Sequence, residues 1–205
     1  MVAALRVVWK GIVQFERYGW LYILANMLAV ALSLPIVTIP AAFAGLSRLT
    51  YTAQTSHTTD MGEFWAGFRA AFGRGIVVGI SNLVVIGILI VNFWSYRQQF
   101  GLFVALLRAI WTMILLCWLM VQLYLWPMLD AMEAPTLRGG LRNAALMVSL
   151  NPVFSLILLA IVVLIFALST ILVVPWVLLT PSLVACIATA AVRDRLAVGH
   201  KSDGA

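Results

Sequence analysis

A chain of 205 residues that is 64% hydrophobic and 10% charged lies outside the range of soluble globular proteins, because a single soluble core cannot bury so many long apolar runs. Its net charge of +6 falls beside those runs, where basic residues set membrane orientation and meet anionic lipid heads, so no nucleic-acid partner is expected. The two cysteines, Cys117 and Cys186, each sit inside an apolar run without a CxxC partner and read as small buried residues.

In chain order, the first element is a basic, amphipathic helix. Arg6, Lys10 and Arg17 precede an apolar run, and Leu5, Val8, Trp9 and Ile12 align along one face that would lie on a membrane surface. Ala42-Phe43-Ala44 before Gly45 resembles a signal-peptidase site, yet the charged leader is long and apolar character continues past it, so the segment reads as retained. Region 18–55 contains Pro35 and Pro40 on either side of Ile36-Val37-Thr38-Ile39. Proline lacks a donor and turns the preceding residue away from helix, which leaves two readings: one kinked span, or a hairpin of 18–34 and 35–51. Four further runs, 75–93, 109–129, 152–174 and 175–192, have the roughly 20 apolar residues a span requires.

Charge decides between the two readings of the proline segment. With the hairpin there are six spans, and Arg6, Lys10, Arg17, Arg48, Arg69, Arg74, Arg138, Arg142, Arg193, Arg195 and Lys201 all fall on the cytoplasmic side. Only Arg97 and Arg108 fall outside, a division of 11 against 2. With one span the division is 8 against 5. The expected architecture is therefore all-α: a polytopic membrane protein with six transmembrane helices as three helical hairpins, both termini in the cytoplasm. Residues 1–195 would form one integral-membrane domain, followed by a short polar tail over 196–205.

Between the spans, short cytoplasmic amphipathic helices are expected. Phe64, Phe68 and Phe72 recur every four residues with Trp65 beside the stripe and Arg69 off it, Asp60 is placed to cap, and Glu63 lies in the first turn. A later helix would start with Pro135 at its first position and carry Leu137, Leu141, Ala145 and Val148 on one face. Leu5-Arg6 with Lys10, Phe68-Arg69 with Arg74, and Leu137-Arg138 with Arg142 hint at a threefold repeat, at offsets of 63 and 69 residues. Any amphipathic helix ahead of a span would look similar.

Leu34-Pro35-Ile36-Val37-Thr38-Ile39-Pro40-Ala41, followed by Phe64-Trp65 and Phe68-Arg69-Ala70-Ala71-Phe72, resembles the YesL-like family of bacterial membrane proteins. The likeness is sharpest over 34–72 and looser over roughly 5–195, and this chain lacks the glycine that the family commonly places before the second proline. It implies a multi-span protein of the bacterial cytoplasmic membrane, encoded near carbohydrate uptake and breakdown systems or sensor kinases. It brings no catalytic or ligand residues with it.

Chemistry in the residues themselves is sparse. His57 and His200 lack metal-ligand neighbours at usable spacing, and Asp130 with Glu133, a compact carboxylate pair, reads as capping one span end. No metal, cofactor or enzymatic activity is expected. Asn26, Asn82, Asn92 and Gln122 lie within spans, either lining a polar site or forming interhelical bonds worth about 0.6–2 kcal/mol each. Gly75 with Gly79, and Ala41 with Gly45, have the spacing that lets helices approach closely, within the chain or in a homo-oligomer.

The candidate site residues are thus Asn26, Pro35, Thr38, Pro40, Asn82 and Gln122 for an intramembrane polar site or helix break. Arg97 and Arg108 are the candidates for an external anion contact. Trp65, Phe68, Arg69, Arg138 and Arg142 are those for a cytoplasmic lipid or partner face. The expected role is a non-enzymatic accessory or regulatory component, partnered by the bilayer and by transporter or sensor-kinase subunits. A small secondary transporter is the alternative.

Overall fold

The computed structural model describes residues 2–56, 58–172 and 174–203, the last five of these by their backbone alone. Among them every regular element is helical. In order they are α1 (Val2–Arg17), α2 (Gly19–Leu32), a 3-10 turn (Ile36–Thr38), α3 (Ile39–Thr55), α4 (Met61–Ser95), α5 (Leu102–Asp130), α6 (Leu137–Leu150), α7 (Pro152–Leu172), α8 (Val174–Leu178) and α9 (Thr180–Asp203).

Three helices, α4, α5 and α7, are long and apolar enough to cross a membrane. At 14 and 17 residues, α2 and α3 are about 21 and 26 Å long, shorter than a hydrocarbon core of about 30 Å. The 24 residues of α9 include Arg193, Asp194 and Arg195.

The centre of the molecule is α9. Every residue from Val184 to Val192 is buried, a helix surrounded on all sides by α1, α2, α3, α5 and α7. Small side chains make this possible: Ala185, Ala188, Ala190 and Ala191 keep the helix thin enough for its neighbours to approach. A buried hydroxyl pair, Thr50 and Thr189 at 2.8 Å, ties α3 to α9, and the Tyr124 hydroxyl donates to Ser155 Oγ at 3.2 Å between α5 and α7.

The α3–α4 contact is the most extensive in the fold and is built on glycine. A Cβ at Gly75 would come within 2.8 Å of the Ala41 nitrogen, and one at Gly79 within 2.5 Å of the Val37 carbonyl oxygen. One member of each small-residue pair noted in the sequence, Gly75 and Ala41, thus meets the other within the chain, while Gly79 faces Val37 and Gly45 faces Phe64. The turn between α2 and α3 rests against Gly79, and residues 80–95 of α4 continue for about 24 Å beyond it. Apart from Val104, the buried residues of α5 lie between Met120 and Leu129. The far halves of α4 and α5 consequently leave the body as a long pair, with Leu83, Ile90, Ile110 and Met113 exposed. Gly101, at φ +126°, starts α5 with a conformation that side chains rarely tolerate.

Several local expectations are corrected. The segment 61–72 is not a separate interfacial helix. It continues unbroken into the apolar run as the 35-residue α4, because no proline or cap interrupts it and Gly75 is held against Ala41. Phe64 and Phe68 are accordingly buried, with only Phe72 of the stripe exposed. Asp60 does cap, accepting from the Gly62 N–H at 2.7 Å. Pro135 does not begin α6; Thr136 caps it, its hydroxyl accepting from the Gly139 N–H at 3.2 Å. In α1 the expected outward face is not contradicted, for Leu5, Trp9 and Ile12 point outward while Ala4, Val7 and Gly11 are buried, with Gly11 against Ile187.

Candidate functional site

Two proline-bracketed breaks define the candidate intramembrane site. The first follows α2. Ser33 Oγ donates to the Ala29 carbonyl at 2.7 Å, and Thr38 Oγ1 lies 2.5 Å from the Leu32 carbonyl and 2.6 Å from that of Pro35. Carbonyls left over at the end of α2 are thereby given donors from the turn itself. Pro35 is exposed at the tip, whereas Pro40 is buried inside the first turn of α3.

The second break separates α8 from α9. In a continuous helix the N–H of residue 181 would reach the Val177 carbonyl, and proline has none. Asn26 supplies the missing donor from α2. Its Nδ2 donates to the Val177 carbonyl at 2.6 Å and to that of Trp176 at 3.4 Å, while its Oδ1 accepts from the Ser182 N–H at 2.8 Å. Thr180 Oγ1 completes the repair with a 2.6 Å bond to Ser169 Oγ of α7 and a 3.1 Å bond to the Pro175 carbonyl. Asn26 is wholly buried, so each of these bonds replaces one that water cannot make.

Both breaks border one apolar cavity of about 490 Å³. Ser33, Leu34 and Ile39 line it from the first break, Trp176 and Pro181 from the second, and Phe43 and Phe166 from α3 and α7. Pro40 and Asn82 share a separate shallow cleft of about 210 Å³. Asn82 Oδ1 accepts from Trp118 Nε1 at 2.9 Å, joining α4 to α5. Asn92 turns back to the Ile88 carbonyl of its own helix. Gln122 lies apart from both clefts, its Nε2 buried and without a hydrogen-bond partner among the described residues.

Arg97 and Arg108 flank the α4–α5 turn. The Arg97 guanidinium stacks over Trp94, 3.9 Å from the ring centroid. That of Arg108 donates to the carbonyls of Tyr96 and Gln99, so it closes the turn.

Charged groups collect at the other end of α3. Arg48 Nε donates to Glu63 Oε2 at 3.1 Å, Ser47 Oγ donates to Asp130 Oδ2 at 2.6 Å, and Arg74 donates to the Pro135 carbonyl at 3.1 Å. Arg48, Arg74, Asp130 and Glu133 line a crevice of about 330 Å³. A second groove of about 510 Å³ lies between α1 and α9, where Lys10 pairs with Asp194 at 3.0 Å. Trp65 is exposed beside the crevice with Arg69 over its ring at 5.7 Å, and Arg138 and Arg142 are exposed on α6. His57 lies outside the described residues, and of His200 only the backbone is described.

Sequence reasoning singled out Asn26 but not its partners. Ser182, Trp176 and Val177 stand about 150 residues away, and no local signal beside Asn26 points to them. The Ser47–Asp130 bond, over 83 residues, had no local signal. No protein-family model, curated protein or solved structure matches this chain.

Proposed function

We propose that the chain is a multi-pass protein of the bacterial cytoplasmic membrane, working as a non-enzymatic accessory or regulatory component of a transport or sensing system. The observation that carries this reading is how the intramembrane polar side chains are used. Asn26 and Thr38 mend helix breaks, and Asn82 ties α4 to α5. Polar surface suited to a partner is instead gathered at the charged end, where Trp65, Arg69, Arg138 and Arg142 are exposed. The division of 11 basic residues against 2 that the six-span reading gives supports a cytoplasmic position for that end and for both termini. The same count favours six membrane-inserted segments as three hairpins, of which α2 with α3 enters and leaves without a full crossing. Resemblance to the YesL-like family adds carbohydrates as the class handled by the partner system.

A pull-down from native membranes tests this. Transporter or sensor-kinase subunits should co-purify with the intact protein and be lost with Arg69→Glu. The competing reading is a small secondary transporter, favoured by the two broken segments facing one cavity. Solute uptake by the purified protein alone in liposomes, with no co-purifying subunit, would replace the accessory reading with that one.

A further inference from the structure

We propose that the cavity between the two proline breaks is a binding site for one acyl chain of a bilayer phospholipid. Three observations converge on that occupant. First, the cavity is dry in character: its lining is aliphatic and aromatic apart from Ser33, whose hydroxyl already donates to the Ala29 carbonyl, so water entering it would find almost no partners.

Second, the polar backbone freed by the breaks is already hydrogen-bonded within the protein. The Leu32 carbonyl accepts from the Thr38 hydroxyl, that of Pro35 from the Thr38 N–H, and Asn26 takes those of Trp176 and Val177. A polar solute would therefore meet no free donor of those pairs in a space of about 490 Å³, a volume ordinary for a small-molecule site. Third, the cavity is continuous with the apolar exterior of a helix able to span a membrane. Phe166 of α7 lines it with its ring 6.2 Å from that of Trp176, and the lining residues Leu34, Ile39 and Trp176 are exposed on the outer surface. Exposed apolar groups at that depth meet lipid chains, and the nearest chain can fill the void without displacing any hydrogen bond.

The test uses the full-length protein in phosphatidylcholine vesicles containing a minor fraction of phosphatidylcholine with a diazirine in one acyl chain. After irradiation, adducts are mapped by peptide mass spectrometry. Labelling of Phe43, Phe166 and Trp176 should saturate as the probe fraction rises and exceed that of Ile86 and Ile110 on the exposed α4–α5 pair several-fold. Val30→Trp, which fills the cavity from the half-buried face of α2, should abolish the saturable labelling while leaving that of Ile86 and Ile110 unchanged, the latter showing that the variant is folded and inserted. Uniform, unsaturable labelling of all these residues would overturn the proposal, as would saturable labelling that survives Val30→Trp. Extraction of a different hydrophobic compound, in place of phospholipid, from the purified protein would overturn it too.

Discussion

Asn26 Nδ2 stands 2.6 Å from the Val177 carbonyl, the group whose helical donor Pro181 removes. One amide on α2 thus holds together a break in a segment 151 residues away. Restoring the N–H by Pro181→Ala should make that amide partly dispensable. We expect Asn26→Ala to cost about 1–2 kcal/mol in the native background and less beside Pro181→Ala, as read by thermal unfolding in detergent. The remaining cost reflects the lost bond to Ser182. Equal costs in both backgrounds would show that Asn26 does not substitute for the missing donor.

The glycine seam between α3 and α4 makes a contrast within a single helix. Gly79 faces the Val37 carbonyl, whereas a Cβ at Gly87 would meet nothing within 4 Å. Gly79→Ala is expected to destabilise by about 1–3 kcal/mol through overpacking. Gly87→Ala should be neutral or stabilise by up to about 1 kcal/mol through helix propensity. Matched melting curves of the two variants check this.

Arg108 closes the α4–α5 turn through the carbonyls of Tyr96 and Gln99. Removing it in Arg108→Ala should speed amide hydrogen exchange across 96–101 and leave the exchange of α3 and α9 unaltered. Protection lost throughout the molecule would instead place Arg108 in the global fold.

Much of the fold is legible in the sequence because apolar runs, basic flanks and prolines are local signals. Pro35, Pro40 and Pro181 each fall at a real break or helix start, where proline's missing backbone donor is tolerated, whereas Pro127 is carried inside α5. The run of α4 from Met61 to Ser95 was hidden, because the change from charged to apolar residues near Arg74 imitates a boundary while the backbone obeys packing instead. In α1, small residues rather than large apolar ones face the core, since only Ala4, Val7 and Gly11 allow so close an approach to α9. The site was legible only by halves. Asn26 and Thr38 stand out as polar residues in apolar surroundings, but the carbonyls that need Asn26 lie across the fold.

Trp65 and Arg69 separate a docking role from a structural one. Their stacking, at 5.7 Å on an exposed surface, is worth about 0.5–1 kcal/mol. Arg69→Glu should therefore shift the melting temperature little yet abolish capture of partner subunits from native membranes. A large loss of stability without loss of capture would count against the charged end as a docking face.

The account depends most on the charged end and the α4–α5 turn lying on opposite sides of the membrane, with the charged end in the cytoplasm. Ser56 and Gln98 are exposed at these two places, and Cys117 and Cys186 can be replaced to leave a background free of thiols. Single Ser56→Cys and Gln98→Cys variants in that background, treated with an impermeant maleimide on cells whose outer barrier is opened, read the orientation directly. The account predicts that Gln98→Cys labels at once and Ser56→Cys only after the cytoplasmic membrane is permeabilised. Immediate labelling of Ser56→Cys would contradict it.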